Sequence, residues 1–425
     1  MSMALRHDAE AASEPRSEVQ SNFIPPLPRV TIQCFCETSP LHAALTQASA
    51  DRRVARAHMT VQMGGIAAAV QAYADQPTPN VVVLESTANA QAMLDMLDQF
   101  AERCDPGTNV IIVGHTNDIS LYRALKERGV SDYLVAPVPA MEALRALSSI
   151  YESAEASTLG RTVAFLGAKG GVGSSTIAHN VGWSIARDTQ NDVVIADLDL
   201  PFGTAGLDFN QDPPQGIAEA IYSPERLDEV YLERLLSKCT DHLSIIAAPS
   251  TLEREYDLGG DAVEPVIDMI RKTVPVVVLD VPHLWTRWAK GTVQAADEIV
   301  ITAMPDLANL RNAKNLIDLI KQTRPNDRPP HLVINQAGVP KKPEIGVADF
   351  AAALEIEPSA VIAFEPQLFA TASNNGQMIA EMQANAKPVE AFRLLATTLS
   401  GRGEVRRPKK SAFGPLLERL RLKKG

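Results

Sequence analysis

Short apolar runs alternate with longer amphipathic stretches along most of this chain. The alternation predicts strands joined by crossover helices, and therefore parallel sheets whose central strands are buried on both faces. A helix is predicted over 306–322. The strand-like runs occupy residues 29–35, 80–85, 109–113 and 132–135, and then 163–167, 192–199, 275–282, 297–305, 331–335 and 361–366.

A short polar stretch separates two blocks of this pattern. Because a chain of 425 residues exceeds the size at which one hydrophobic core keeps growing, two domains are expected. The predicted organisation is a disordered polar tail over 1–28, an α/β domain over 29–152, a linker over 153–160, a second α/β domain over 161–400 and a basic tail over 401–425.

Composition narrows the classes of function. A net charge of −11 argues against binding of nucleic acid by the general surface. No apolar run approaches the roughly 18 residues of a membrane span, and the first residues lack the apolar core of a signal peptide, so a cytoplasmic protein is expected. The four cysteines lack paired spacing, which favours reduced, buried side chains over a metal site.

The end of the chain departs from the acidic average, because Lys and Arg dominate it. Its apolar residues would fall on one face of a helix flanked by positive charge, a pattern typical of helices that lie on anionic membranes. A helix packed on its own domain, or a solvated tail, explains the same pattern. The apolar positions are Phe413, Leu416, Leu417 and Leu420.

Residues 163–176 read Val-Ala-Phe-Leu-Gly-Ala-Lys-Gly-Gly-Val-Gly-Ser-Ser-Thr, a strand that runs into a glycine-rich loop and a helix start. In the standard phosphate-binding loop, backbone N–H groups surround the phosphates, a lysine follows the last glycine, and the next Ser or Thr binds Mg²⁺. Here Ser174 occupies the lysine position. The predicted nucleotide-binding residues are Lys169, Gly170, Gly171, Val172, Gly173, Ser174, Ser175 and Thr176. A glycine-rich turn without a ligand is the alternative.

The loop resembles the deviant loop of the ParA/MinD family, K-G-G-x-G-K-[ST]-[ST], and departs from it at Ser174. The resemblance implies a P-loop NTPase fold that binds ATP and Mg²⁺, with Ser175 as a direct metal ligand. It also implies a homodimer in which the early lysine, here Lys169, reaches the partner's phosphates as a catalytic residue.

Two further strands end in carboxylates, where open α/β sheets place their ligands. By the same resemblance, Asp199 orients the attacking water, with Asp197 in support, and Asp280 lies in the second shell of the metal. Asn335 and Pro366 fall where family members contact the base. For Asp199 and Asn335, an ordinary turn at the end of a strand is the alternative.

The first domain resembles a response-regulator receiver, which implies a flavodoxin-like fold. Glu85 stands where the phosphoacceptor aspartate is expected, and Ala136 where the lysine is expected, so phosphorylation chemistry is not predicted. The domain is interpreted as a pseudo-receiver for dimerisation or docking. Glu85 is either a pseudo-phosphoacceptor that mimics the charged state or a carboxylate that caps the end of a strand.

A pseudo-receiver followed by this type of loop is most similar to the CpaE/TadZ family of tight-adherence pilus assembly. The resemblance implies a slow ATPase that dimerises with ATP and marks the cell pole at the inner face of the membrane. It would there recruit pilus secretion components through a polar landmark, without binding specific nucleic acid. A ParA/MinD-type ATPase for DNA segregation or division-site positioning, and a scaffold with a vestigial nucleotide site, remain alternatives.

Overall fold

The computed structural model describes residues 24–151, 159–252 and 255–400, which form two α/β units. The membrane-binding helix predicted in the basic tail, and most of the linker, lie outside the described residues. The strands are β1 (Thr31–Cys36), β2 (His58–Met63), β3 (Val81–Glu85), β4 (Asn109–Gly114), β5 (Asp132–Val135), β6 (Arg161–Gly167), β7 (Val193–Asp197), β8 (Ser237–Thr240), β9 (Leu243–Ile246), β10 (Val276–Asp280), β11 (Glu298–Ala303), β12 (His331–Ala337) and β13 (Ala360–Ala363).

Helices connect most of these strands, and none in the described ranges is both long and apolar enough to cross a membrane. The helices are α1 (Ser39–Ser49), α2 (Gly65–Ala72), α3 (Ala90–Ala101), α4 (Ile119–Glu127), α5 (Ala140–Ile150), α6 (Ser174–Thr189), α7 (Ala205–Asp208), α8 (Ile217–Tyr222), α9 (Glu229–Leu235), α10 (Glu264–Thr273), α11 (Arg287–Ala295), α12 (Leu307–Thr323), α13 (Val347–Leu354), α14 (Pro366–Asn375), α15 (Ile379–Met382) and α16 (Lys387–Leu399).

The first unit is a five-stranded parallel sheet in the order β2-β1-β3-β4-β5, which is the flavodoxin-like strand order. The central strand β3 is buried along its whole length. Strand β2 was not predicted, because this edge strand is mostly exposed and lacks an apolar run.

The start of the first unit corrects one prediction. Residues 24–28 were expected to belong to the disordered tail, but Ile24 and Leu27 are buried in the core of the unit. The backbone N–H of Leu27 donates to the carbonyl of Arg53 at 2.8 Å, and the hydroxyl of Ser148 donates to the carbonyl of Pro25 at 3.1 Å. These contacts tie the segment to residues 52–54 and to α5, the helix that ends the unit.

In the described part of the second unit, eight strands form one sheet in the order β13-β12-β11-β6-β10-β7-β9-β8, and only the short edge strand β8 is antiparallel. Strand β6, which leads into the glycine-rich loop, lies between β10 and β11. The parallel pairing of β6, β10 and β7 brings the three carboxyl ends to one edge of the sheet. We call this edge the carboxyl edge.

The two units contact each other through a buried group of charged side chains, which we call the ionic interface. The short 3₁₀ helix at residues 52–54 supplies two arginines to the carboxylates of the second unit. The Nε atom of Arg52 lies 2.8 Å from Asp327 Oδ2, and its Nη1 atom lies 3.2 Å from Asp297 Oδ1. The members of the ionic interface are Asp51, Arg52, Arg53, Arg271, Asp297, Arg324 and Asp327.

The position of the ionic interface fixes where the first unit docks. Asp297 directly precedes β11, and its Oδ2 atom accepts the backbone N–H of Thr162 in β6 at 2.9 Å. Asp327 lies in the loop between α12 and β12. The first unit therefore packs against the amino ends of the central strands, opposite the carboxyl edge.

Candidate nucleotide site

The glycine-rich loop leaves β6 and turns into α6 at the carboxyl edge. Gly171 and Gly173 have φ values of 78° and 85°, in the left-handed region where glycine is favoured over other residues. Among the described residues, no acceptor pairs with the backbone N–H groups of residues 169–175. Free N–H groups at the start of a long helix form an anion site, so the loop is suited to phosphate.

Three side chains from other elements hold the carbonyls of this loop. Asn335 at the end of β12 donates from Nδ2 to the carbonyl of Val172 at 2.8 Å. Asn312 of α12 donates to the carbonyl of Ala168 at 2.9 Å, and the ring of His283 lies 2.9 Å from the carbonyl of Gly167. Because a carbonyl only accepts, the Nδ1 atom of His283 carries the proton.

The loop side chains face different environments. Lys169 is exposed and Ser175 and Thr176 are half-buried, whereas the hydroxyl of Ser174 is buried without a hydrogen-bond partner. Ser174 thus supplies no cation where the standard loop has one.

Three carboxylates lie at the ends of β7 and β10, beside the loop. Asp197 and Asp280 are paired in register across the two strands, and both are buried. Burial and then the charge of Asp280 raise the pKa of Asp197 to about 7. Burial likewise raises the pKa of Asp199, which is half-buried two residues further on. This concentration of carboxylates favours binding of a cation at the site.

A buried histidine connects these carboxylates to α7. His179 of α6 is completely buried, with Nδ1 2.7 Å from Asp208 Oδ2 and Nε2 3.4 Å from Asp280 Oδ2. The second contact is an ion pair without hydrogen-bond geometry, since Nε2 has no hydrogen-bond partner. Burial alone would lower the pKa of His179, but the two carboxylates outweigh it and raise the pKa to about 10.

Among the residues that the structure describes, side chains alone do not form a metal site. In the parts of the chain that the structure describes, no three His, Cys, Asp or Glu side chains are grouped so that they could hold a metal ion. Mg²⁺ accepts few protein ligands and keeps waters and substrate phosphates as the others. The residues present are therefore consistent with Mg²⁺ carried by a nucleotide, with the Ser175 hydroxyl as a ligand and Asp280 acting through water.

A polar cavity of about 570 Å³ opens next to the loop. Thr176 forms one wall, α7 forms another through Asp208, and the end of α14 closes the third through Ser373 and Asn375. Helix α7 thus separates this cavity from the carboxylates of the site.

The structure brings most of the predicted site residues together. Residues 169–176, Asp199, Asp280 and Asn335 meet at the carboxyl edge, although one Asn335 donor is already used by the loop. Pro366 is exposed at the start of α14, after the edge strand β13. It therefore lies at the same edge but several strands from β6.

Glu85 lies in the other unit, at the end of β3, and is completely buried. Its carboxylate accepts the backbone N–H groups of Glu37 and Thr38 at 2.6 and 2.8 Å, and the Thr38 hydroxyl at 2.7 Å. His115 Nε2 lies 3.1 Å away. Although burial opposes it, this set of hydrogen bonds lowers the pKa of Glu85. The carboxylate thus holds the loop between β1 and α1.

Sequence reasoning missed His179, Asp208, His283 and Asn312. The first of these left a signal, because His179 interrupts the apolar face of α6 with a group that needs a polar partner when buried. His283 follows the Asp-x-Pro end of β10 within three residues of Asp280. No sequence signal identified Asn312, which lies on a helix with many other polar residues.

No family model matches the chain. Among curated proteins, the septum site-determining protein MinD of Bacillus subtilis (strain 168) is 22% identical over 247 residues, which span 57% of this chain and 90% of that protein. Among solved structures, a ParA family ATPase from Chlorobium tepidum TLS is 21% identical, covers 56% of this chain and 98% of its own, and has a TM-score of 0.51.

A further solved structure is similar in sequence over a smaller part. It is a pilus assembly protein CpaE from Caulobacter crescentus CB15, which is 46% identical, covers 30% of this chain and 96% of its own, and has a TM-score of 0.29. The α/β fold predicted for the second unit, with its mostly parallel sheet, is confirmed as that of the ParA/MinD P-loop proteins.

Proposed function

We propose that this chain, a ParA/MinD-type ATPase, binds ATP with Mg²⁺, dimerises through the nucleotide and hydrolyses it slowly. In this proposal the dimer acts as a localisation factor for assembly of tight-adherence pili at the cell pole. The observation that carries the nucleotide part is the loop at residues 167–176, whose free N–H groups lie beside Asp199 and Asp280. A helix N-terminus next to such carboxylates is suited to phosphate bridged by a cation.

Dimerisation is supported by the side chains that surround the site. Large apolar residues follow the carboxyl ends of β7, β10 and β11, and they are 49% to 73% exposed. Exposed apolar residues concentrated at one edge are typical of an interaction surface. These residues are Phe202, Leu207, Trp285 and Leu307.

The loop chemistry explains why nucleotide binding and dimerisation should be coupled. A lysine that bonds a charged phosphate contributes about 1.5–3 kcal/mol, so its replacement by Ser174 lowers affinity roughly 10- to 100-fold if nothing compensates. Lys169 is exposed and therefore accessible to a second chain. In the proposed dimer the partner's Lys169 supplies the missing charge, and ATP binds more tightly to the dimer than to the monomer.

Equilibrium binding of a fluorescent ATP analogue, measured across protein concentrations, tests the coupling. We expect apparent affinity to rise with protein concentration in the wild type and to stay low at all concentrations in Lys169→Ala. Lys314→Ala is the matched control, because Lys314 is half-buried on α12 and pairs there with Asp318. Equal affinity in a dilute monomer, in the dimer and in Lys169→Ala would contradict the proposal.

The pilus role rests on the resemblance of the loop and of the first unit, and it needs a test in cells. A fluorescent fusion of the wild type should form polar foci and support pilus assembly, whereas Lys169→Ala should be diffuse. Uniform distribution of the wild type with normal pili would refute the localisation role. Salt-dependent binding to non-specific DNA would instead favour a segregation ATPase, and absence of nucleotide binding would favour a scaffold.

Membrane contact is proposed for the basic tail. Deletion of residues 413–425 should release the protein from vesicles that contain anionic lipid, and it should leave nucleotide binding unchanged. Unchanged vesicle binding after the deletion would remove this part of the proposal.

A further inference from the structure

Two carboxylate contacts attach helix α7 to the nucleotide site. The helix is four residues long, only Ala205 is buried, and Leu207 extends into solvent. At its beginning, the backbone N–H of Ala205 donates to Asp197 Oδ2 at 3.0 Å. At its end, Asp208 Oδ2 bonds His179.

Both contacts connect α7 to the carboxylates of the nucleotide site, one directly and one through His179. Asp197 belongs to the pair at the ends of β7 and β10, and His179 lies against the other member, Asp280, through its second ring nitrogen. The ring is packed beside Phe209 with centroids 5.7 Å apart, so it has a fixed place in the core. A displacement of Asp280 would therefore change the environment of the group that holds Asp208.

Asp208 also connects α7 to the wall of the adjoining cavity. Its Oδ2 atom lies 3.3 Å from the Thr204 hydroxyl, and its Oδ1 atom lies 3.5 Å from the Ser373 hydroxyl of α14. Helices α6, α7 and α14 thus meet at one carboxylate. The exposed Leu207 belongs to the proposed dimer surface and moves with this helix.

We propose that His179 is a positioning residue that couples the position of Asp280 to the position of helix α7. Binding of Mg²⁺ and ATP in the site would then set the position of the dimer surface around Leu207. The inference rests on the proposed nucleotide function and adds a named route from the metal side of the site to that surface. The two ring nitrogens make different contacts: Nδ1 binds Asp208 of α7, and Nε2 lies against Asp280.

Two substitutions of His179 separate the contact with Asp208 from the contact with Asp280. In His179→Asn the amide nitrogen takes the place of Nδ1, which keeps the bond to Asp208 and removes the contact with Asp280. In His179→Gln the amide reaches the place of Nε2 and leaves Asp208 without its partner. His242→Asn is the matched control, because His242 makes a 2.8 Å contact with Asp192 at the exposed amino side of β7.

Hydrogen exchange of the full chain, with and without Mg²⁺ and ATP, measures the coupling. In the wild type and in His242→Asn, we expect nucleotide to slow exchange in residues 203–210. In His179→Asn the exchange without nucleotide should match the wild type, and the slowing by nucleotide should fall about tenfold, as expected for loss of one contact to a charged group. His179→Gln should exchange faster already without nucleotide.

The outcomes distinguish this inference from the proposed function. If the wild type and His179→Asn bind nucleotide and slow exchange in residues 203–210 equally, the coupling through His179 is wrong and the nucleotide function stands. If the wild type fails to bind nucleotide, both are wrong. Should neither His179 variant fold, Asp208→Asn, at the wall of the cavity, replaces them with the same expected loss of response.

Discussion

Replacing Asp327 by alanine removes one carboxylate that arginines from both units share. Its Oδ2 atom accepts from Arg52 Nε at 2.8 Å and from Arg324 Nε at 2.7 Å, and its Oδ1 atom accepts from Arg53. All four side chains are at most 11% exposed, so water screens these charges little. Without Asp327, the four arginines of the ionic interface would face only the two remaining aspartates.

The size of the effect follows from this geometry. Removing one partner of a buried ion pair costs about 3–5 kcal/mol, because the other charge stays buried without compensation. At about 2–4 °C per kcal/mol for domains of this size, the expected loss in Tm is on the order of 10 °C. Since the contacts join the two units, we also expect their unfolding transitions to separate.

Scanning calorimetry of the full chain measures both effects. Asp318→Ala on α12 is the control, because its exposed pair with Lys314 should contribute less than about 1 kcal/mol. If Asp327→Ala unfolds at the same temperature as this control, in the same number of transitions, the ionic interface does not hold the units together and the reasoning fails.

The pH dependence gives an independent check of the same contacts. Burial opposes ionisation of Asp327, but Arg52, Arg324 and Arg53 outweigh it and hold its pKa well below the usual range. A carboxyl with a lowered folded pKa contributes stability that is present above its unfolded pKa of about 3.9 and is lost as pH falls below it. The Tm of the wild type should therefore fall below about pH 4 more steeply than that of Asp327→Asn. Equal slopes would contradict the assignment.

Two further predictions concern the loop and the first unit. Gly173→Ala places a Cβ 2.6 Å from Asn335 Nδ2 at a φ of 85°, so the affinity for an ATP analogue should fall at least about tenfold. The control is Gly107→Ala, which has a φ of 98° but lies in open space and should leave the affinity unchanged. Equal binding by both variants would refute the close packing. Glu85→Gln turns an amide toward the N–H donors of the loop after β1, so urea unfolding should show a loss of about 2 kcal/mol, compared with almost none for the exposed Glu127→Gln. A loss no greater than the control's would leave Glu85 free for a phospho-mimic role.

The central strands could be predicted from sequence because burial on both faces requires continuous apolar runs. Strands β6, β10 and β11 have such runs, and each was expected within two residues of its observed ends. The short strands β8, at the edge of the sheet, and β9, beside it, were not predicted. Each has four residues, and β8 alternates between half-buried and exposed positions, so its pattern does not differ from that of a loop.

The contacts between distant polar residues could not be predicted. Arg52 and Asp327 are separated by 275 residues, and each lies in a polar segment that is typical of the surface. Only the folded chain shows that they are buried together. The same holds for His179, whose partner Asp208 is 29 residues away on a helix of four residues.

The docking of the first unit on the amino ends of the strands determines where the first units would lie in a dimer. Strand β6 has seven residues and spans about 23 Å at roughly 3.3 Å per residue, so the first unit and the carboxyl edge lie at opposite ends of the central strands. Two chains joined at their carboxyl edges would carry their first units at the far ends of one elongated particle. If the first units bind partner molecules that are clustered on one surface, the dimer would bind two of them at once. Attachment would then depend on nucleotide through avidity, even if each first unit bound its partner with unchanged affinity.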